Sequence, residues 1–166
     1  MGWVCAVCRG GRLTAACLPA ASERAALAAC GVGEEAVRRD DLLGAVAADL
    51  GRYFAGEEVA LGRHPVDLGG VSSFHRRALL AARRIPYGQV RTYGWVAARA
   101  GRPGAARAAG GAMSRNPIPL VIPCHRVVAA GGELGGFGGG PAMKRALLRL
   151  EGIECDEGRV LGGRAR

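Results

Sequence analysis

The N-terminal third of the chain alternates short apolar runs with turn-forming residues. Val4-Cys5-Ala6-Val7-Cys8 and Leu13-Thr14-Ala15-Ala16-Cys17-Leu18 predict two strands, and Arg9-Gly10-Gly11-Arg12 between them is a hairpin turn signal. Leu42, Leu43, Val46, Leu50 and Tyr53-Phe54 recur at helical spacing, with Asp40 or Asp41 placed to cap that helix. Gly56 and Gly62-Arg63-His64-Pro65 then read as a linker. The texture changes near Val71. Ser72 or Ser73 can cap a helix carrying Phe74, Leu79, Leu80 and Ile85, which Pro86-Tyr87-Gly88-Gln89 closes in a turn. Thr92 can cap the next helix, with Tyr93, Val96 and Ala97 on one face. Gly101-Arg102-Pro103-Gly104 leads from it into a short helix of small residues, Ala105 to Met113. Two short helices joined by a glycine turn form a helix-turn-helix pattern.

The predicted class is α+β. A small N-terminal sheet-plus-helix domain covers residues 1–69, and a mainly helical C-terminal domain with the helix-turn-helix covers 70–155. Residues 156–166 read as a tail. With 166 residues, 49% hydrophobic and 22% charged, the chain can bury a core and is not wholly disordered. It has no run of 18 uncharged apolar residues and no secretory signal pattern at Met1-Gly2-Trp3-Val4-Cys5. The expectation is a cytoplasmic protein with no membrane partner.

The net charge of +9 is unevenly placed. Residues 1–70 carry seven Arg against nine Asp or Glu, a net of −2, and residues 71–166 carry the excess. Between Val71 and Gly132 there are ten Arg and no carboxylate. A charge run is commonly a solvated face, and a GC-rich genome accounts for Arg over Lys, but solvated faces usually mix signs, so the acid-free stretch equally fits contact with a polyanion. The 105–113 helix adds to this, since Arg107 is its one long charged side chain, among Ala and Gly. Small residues allow close approach to a groove, and such an Arg can enter a duplex. The alternative is a helix packed tightly on its neighbour with a solvated Arg.

The chemistry lies in Asn116-Pro117-Ile118-Pro119-Leu120-Val121-Ile122-Pro123-Cys124-His125-Arg126-Val127-Val128. The prolines lack amide hydrogens and force an extended path, and the apolar run delivers Cys124 to the lip of a site. Pro123 suits a first helical turn, which would put Cys124 at a helix N-terminus where thiolate is favoured. A cysteine of depressed pKa beside His125 is the recipe for a sulfur nucleophile. The alternative is an inert buried Cys beside a surface His. Cys5 and Cys8 have C-x-x-C spacing but fall in a strand, and Cys17, Cys30 and His64 lack zinc-ligand spacing. No metal or disulfide framework is expected. His64 reads as a loop residue and His75 as a helix-surface residue.

Pro123-Cys124-His125-Arg126-Val127 resembles the signature of the O6-alkylguanine-DNA alkyltransferases, or methylated-DNA–protein-cysteine methyltransferases. The resemblance runs from about Phe74 to Gly152. It takes in Ile85-Pro86-Tyr87-Gly88-Gln89-Val90, Tyr93, Arg107, Gly110-Gly111-Ala112-Met113, Asn116-Pro117 and Lys144 to Gly152. It implies a monomer that binds double-stranded DNA through the minor groove, flips an O6-alkylguanine into a pocket and moves the alkyl group to an internal cysteine once, with no cofactor because the DNA carries the alkyl group. Cys124 matches the acceptor and His125 the base acting through a water. Glu151 matches the carboxylate behind that His, and Asn116 the residue that ties the segment before the Cys. Tyr93 matches the hydroxyl at the guanine. Arg107 matches the finger that fills the gap, with Thr92, Ala106, Gly110, Ser114 and Arg115 beside it at the DNA. Met113, Pro119, Val127, Phe137 and Gly138 are the implied pocket wall. Phe137 stands where the family often has Tyr, Gly138 where it has Ser or Ala, and a Thr-Pro-Leu-Gly turn after the first strand is missing. Two other readings compete: a non-catalytic damage-binding relative, against which Cys124 itself argues, and a cysteine hydrolase using Cys124 and His125.

Overall fold

A computed structural model describes residues 2–33, 37 and 40–162, the side chains of 40–42 and 162 excepted. The hairpin forms as predicted, with β1 (Ala6–Arg9) antiparallel to β2 (Arg12–Ala16). Gly10 and Gly11 both take positive φ, 55° and 74°, which only glycine adopts freely. Helix α1 (Glu23–Ala29) follows, and Ser22 Oγ caps it by accepting from Ala25 N–H at 3.2 Å. Helix α2 (Asp40–Phe54) buries Val46, Asp49, Leu50 and Tyr53. The Asp40 and Asp41 side chains, expected to cap it, lie outside the described residues.

The supposed linker is not a free loop. Leu61–Arg63 make one 3-10 turn, and His64 is buried, its Nε2 2.7 Å from Asp49 Oδ2. His64 does lie in a loop, as expected, but a buried carboxylate on α2 draws its ring inward.

The C-terminal half starts with α3 (Ser73–Ala82), after Ser72 as N-cap. Strand β3 (Arg91–Thr92) runs directly into α4 (Tyr93–Arg99), and Thr92 Oγ1 caps that helix by accepting from Trp95 N–H at 3.1 Å. Helix α5 (Ala106–Ser114) packs on α3 and α4 with Ala109, Ala112 and Met113 buried, the two alanines small enough to bring the backbones close. Strand β4 (Val127–Val128) pairs parallel with β3, tying the cysteine segment to the start of α4. Helix α6 (Gly140–Leu150) lays Leu147 and Leu148 on the core. Strands β5 (Glu154–Cys155) and β6 (Val160–Gly162) close a last hairpin, so residues 156–162 fold back on the structure.

One apolar core runs through both halves. Leu13, Val46, Tyr53 and Leu61 pack in the same cluster as Leu79, Val96, Ile122 and Leu147. Hydrogen bonds join them too, with Ala16 N–H donating to Pro117 O at 2.9 Å and the Arg83 guanidinium donating to Gly62 O and His64 O. The N-terminal half therefore braces the segment that presents Cys124.

Candidate active site and nucleic-acid interface

Three prolines leave the segment 116–123 short of donors, and Asn116 makes good the deficit. Its Nδ2 donates to Ile122 O at 2.8 Å and its Oδ1 accepts from Ile118 N–H at 3.0 Å. The side chain spans the loop as a missing strand would. At the apex Leu120 has φ 72°, a left-handed conformation that costs a leucine about 1–2 kcal/mol. Burial of its side chain offsets that cost. Cys124–Arg126 then form a single 3-10 turn, and Cys124 N–H donates to Ile122 O at 2.8 Å.

Below this turn lies a sealed cluster of charges. Glu151, at the end of α6, is 4% exposed. Its Oε1 accepts from His125 Nε2 at 2.7 Å, from Tyr53 Oη at 2.7 Å and from Arg126 Nη2 at 3.0 Å. Its Oε2 accepts from Arg126 Nε at 2.8 Å. Burial alone would raise the Glu151 pKa, but the His125 and Arg126 donors outweigh it and hold the carboxyl near 2. With Nε2–H given to an ionised carboxylate, the network assigns His125 the tautomer whose Nδ1 is an acceptor. That Nδ1 is buried and has no hydrogen-bond partner. Burial lowers the His125 pKa, against the pull of Glu151, so the ring is neutral.

The thiol departs from expectation. Cys124 is 6% exposed, and burial raises its pKa, partly offset by Asn116, by Lys144 and by backbone amides. A lone 3-10 turn has too little dipole to favour thiolate strongly, and Lys144 offsets only part of the effect of burial while the other nearby basic groups do not act on the sulfur. Arg126 faces Glu151 and Ile85 O, and His125 is neutral. Lys144, fully buried, donates to Val127 O at 2.6 Å and to Leu134 O, and burial lowers it to about 8. Its Nζ is 5.9 Å from the centre of the Tyr93 ring.

Tyr93 is half-buried on the first turn of α4, and burial, then Cys124, raises its phenol pKa. Gly135, at φ 65°, lies against its hydroxyl, and any side chain there would begin 3.1 Å from that oxygen. Gly110 faces the same ring from α5. Of the remaining expected pocket residues, Met113 and Pro119 are buried, Phe137 is half-buried against the core and Gly138 is exposed. The Val127 side chain is fully buried and its carbonyl serves Lys144.

On the outer face, Arg107, Ser114 and Arg115 are exposed on α5 and its end, while Ala106 is half-buried. The Ser114 hydroxyl bonds back to Gly111 O. The arginine run is only partly a surface. Arg126 is internal, Arg83 reaches the N-terminal half, and Arg77 Nε donates to Ala100 O at the end of α4. Arg91 and Arg99 flank the Trp95 ring at 5.7 and 5.3 Å.

Sequence reasoning brought Cys124, His125, Glu151 and Asn116 together and missed Tyr53, Arg126 and Lys144 as partners. In the N-terminal half the structure also gathers Cys5, Cys17 and Cys30. Among the described residues no group of three or more His, Cys, Asp or Glu is arranged to hold a metal ion.

Residues 73–153 match the family model of the 6-O-methylguanine DNA methyltransferase DNA-binding domain. Over 102 residues the chain is 52% identical to the methylated-DNA–protein-cysteine methyltransferase of Mycolicibacterium paratuberculosis, covering 61% of each chain. It is 46% identical over 104 residues to the protein of that name from Methanothermobacter thermautotrophicus, covering 63% of this chain and 58% of the relative. The chain thus spans about three fifths of the length of these relatives. A crystal structure of Mycobacterium tuberculosis OGT in complex with DNA is similar over 88% of this chain and 84% of its own, with a TM-score of 0.64 and 38% identity. The O6-methylguanine-DNA methyltransferase of Pyrococcus kodakaraensis is similar at a TM-score of 0.67 and 26% identity, over 87% and 89% of the chains.

Proposed function

The chain belongs to the 6-O-methylguanine DNA methyltransferase family, and from that premise we propose that it repairs duplex DNA by taking the alkyl group of an O6-alkylguanine onto Sγ of Cys124. The observation that carries the reading is the line of contacts behind Cys124. A buried thiol is followed in sequence by a neutral His125 whose Nε2 is pinned to Glu151 and whose Nδ1 remains an acceptor.

The thiol is protonated at rest, so its proton must leave as the sulfur attacks. His125 Nδ1 receives it through a water, and Glu151 stabilises the imidazolium that forms. The Cys124 Sγ–carbon bond forms as the carbon–O6 bond breaks, and the electron pair returns to the guanine. Tyr93, at the mouth, donates a proton to the departing ring. Lys144 holds positive charge near both Cys124 and Tyr93, favouring the anion at each. Asn116 keeps the segment before the thiol in place. The product is a thioether, which no neighbouring side chain hydrolyses, so each molecule acts once, as a monomer and without a cofactor.

The α4–α5 pair delivers the substrate. Small residues on α5 allow close approach to the minor groove, with Thr92, Ala106, Gly110, Ser114 and Arg115 along the contact. Arg107 enters the stack where the nucleotide is flipped towards Met113, Pro119, Val127, Phe137 and Gly138. A DNA substrate fits a cytoplasmic, nucleoid-associated protein.

Mass spectrometry tests this. After incubation with a duplex carrying O6-methylguanine, the Cys124 peptide should gain one methyl group, in an amount that never exceeds one per protein. Cys124→Ser should bind the duplex and gain none. Binding by the wild-type protein without transfer would instead support a damage-recognition protein.

A further inference from the structure

The carboxylate behind His125 is held from both halves of the molecule. Three donors converge on Glu151 Oε1, and one, the Tyr53 hydroxyl at 2.7 Å, comes from α2. The same hydroxyl lies 3.4 Å from His125 Nε2. We propose that Tyr53 is a positioning residue for alkyl transfer, its hydroxyl setting how strongly Glu151 draws on the Nε2 proton of His125 and thereby how readily Nδ1 accepts the thiol proton. The inference rests on the reading of His125 as proton acceptor.

An oxygen with several donors divides its negative charge among them, so each added donor weakens its hold on the others. Tyr53 can only donate here, because an ionised carboxylate only accepts. Burial, then Glu151, drives its phenol pKa far above the ordinary value, so the donor persists at any working pH. The ring is fixed edge-on between Phe54 at 5.3 Å and Tyr87 at 6.1 Å. The charged and titratable groups facing this cluster are His125 and Arg126 from the 3-10 turn, Glu151 from the end of α6 and Tyr87 from the loop after α3. Lys144 and Cys124 act from further off. Tyr87 does not duplicate Tyr53, since its hydroxyl donates to Leu150 O at 2.8 Å. A purely structural tyrosine needs only a carbonyl for its hydroxyl, as Tyr87 has. Tyr53 instead shares one carboxylate oxygen with the histidine.

Two full-length variants, Tyr53→Phe and 3-fluorotyrosine placed at position 53 alone, test the proposal in opposite directions. Single-turnover methyl transfer from an O6-methylguanine duplex is followed against pH, and the acid limb reports the ionisation of His125. Removing the donor leaves more of the Oε1 charge to His125 and favours imidazolium. The acid limb of the Phe variant should move to higher pH by about half a unit, roughly a threefold loss of rate on that limb. The fluorotyrosine is a stronger donor of nearly the same shape, and its limb should move to lower pH. Duplex affinity should be unchanged in both. Rates that fall with the acid limb fixed at the wild-type pH would overturn the proposal. If the Phe variant does not fold, the fluorotyrosine protein decides by itself.

Nitrogen NMR titration of His125 in the DNA-free proteins separates this inference from the functional reading. Movement of the titration in a protein that transfers nothing would sink the reading and keep the coupling. Transfer with a titration indifferent to position 53 would do the reverse.

Discussion

Asp49 in the N-terminal half and Glu151 in the C-terminal half have closely similar surroundings. Each carboxylate is less than 5% exposed, and each lies 2.7 Å from a histidine Nε2 and less than 3 Å from an arginine. They differ in what lies beyond. Arg52 and Arg63, which face Asp49, are more than half exposed, so that cluster opens to water. Arg126 is 7% exposed, and the histidine beside Glu151 follows a cysteine in sequence. Among buried side-chain atoms described, His125 Nδ1 is the one without a partner, and His64 contributes none. A carboxylate–histidine pair is thus a staple in one half. On the proposed reading it is proton-transfer machinery in the other, where a ring nitrogen is left over.

The contrast is sharpened most by Glu151→Gln. It leaves Arg126 and His125 buried without their anion, and stability should fall by about 3–5 kcal/mol. Transfer should slow by about a hundredfold. The same residue sets an acid transition. Its folded pKa is near 2 against an ordinary 4.5, so its stabilisation is complete above 4.5 and is lost as pH falls towards 2. The loss is about 3 kcal/mol, visible as a falling urea midpoint that the Gln variant does not share.

Arg107→Ala comes next. Repair of duplex DNA should fall about tenfold, while reaction with a free alkylated base and the stability, within about 0.5 kcal/mol, stay as in the wild type. Equal loss on both substrates would remove the finger role. Asp49→Asn should have the smallest effect on chemistry. Urea unfolding should show about 1–2 kcal/mol lost, since its arginines are screened by solvent, and the transfer rate should be unchanged. A slowed transfer would erase the distinction between the two carboxylates.

Much of this was legible in the sequence where the determinants are local. The Gly10-Gly11 hairpin, the Thr92 cap and the small-residue helix were read from spacing and turn chemistry, and each formed within a residue or two. Helix α1 was missed although Ser22 before Glu23 is a start signal, because Ala-rich stretches carry little periodicity. The charge state of Cys124 was misread because an N-terminus was inferred from Pro123 without knowing that the helix stops after one turn. Tyr53, Arg126 and Lys144 could not be placed from spacing, because their partners come from distant parts of the chain or from carbonyls that leave no mark in the sequence. The burial of His64 in its loop was not foreseen for the same reason, its partner being Asp49 on another element.

Tyr53 and Glu151 stand 98 residues apart. Contacts of such long range form late, after loop closure has been paid for by nearer ones. During synthesis the chain emerges N-terminus first, so a nascent polypeptide extended just past Cys124 has the nucleophile but neither Lys144 nor Glu151. Its sulfur is then an ordinary cysteine with no paired base. On the proposed mechanism, base assistance therefore arrives with α6, and a ribosome-stalled or prematurely terminated product carries the thiol without it.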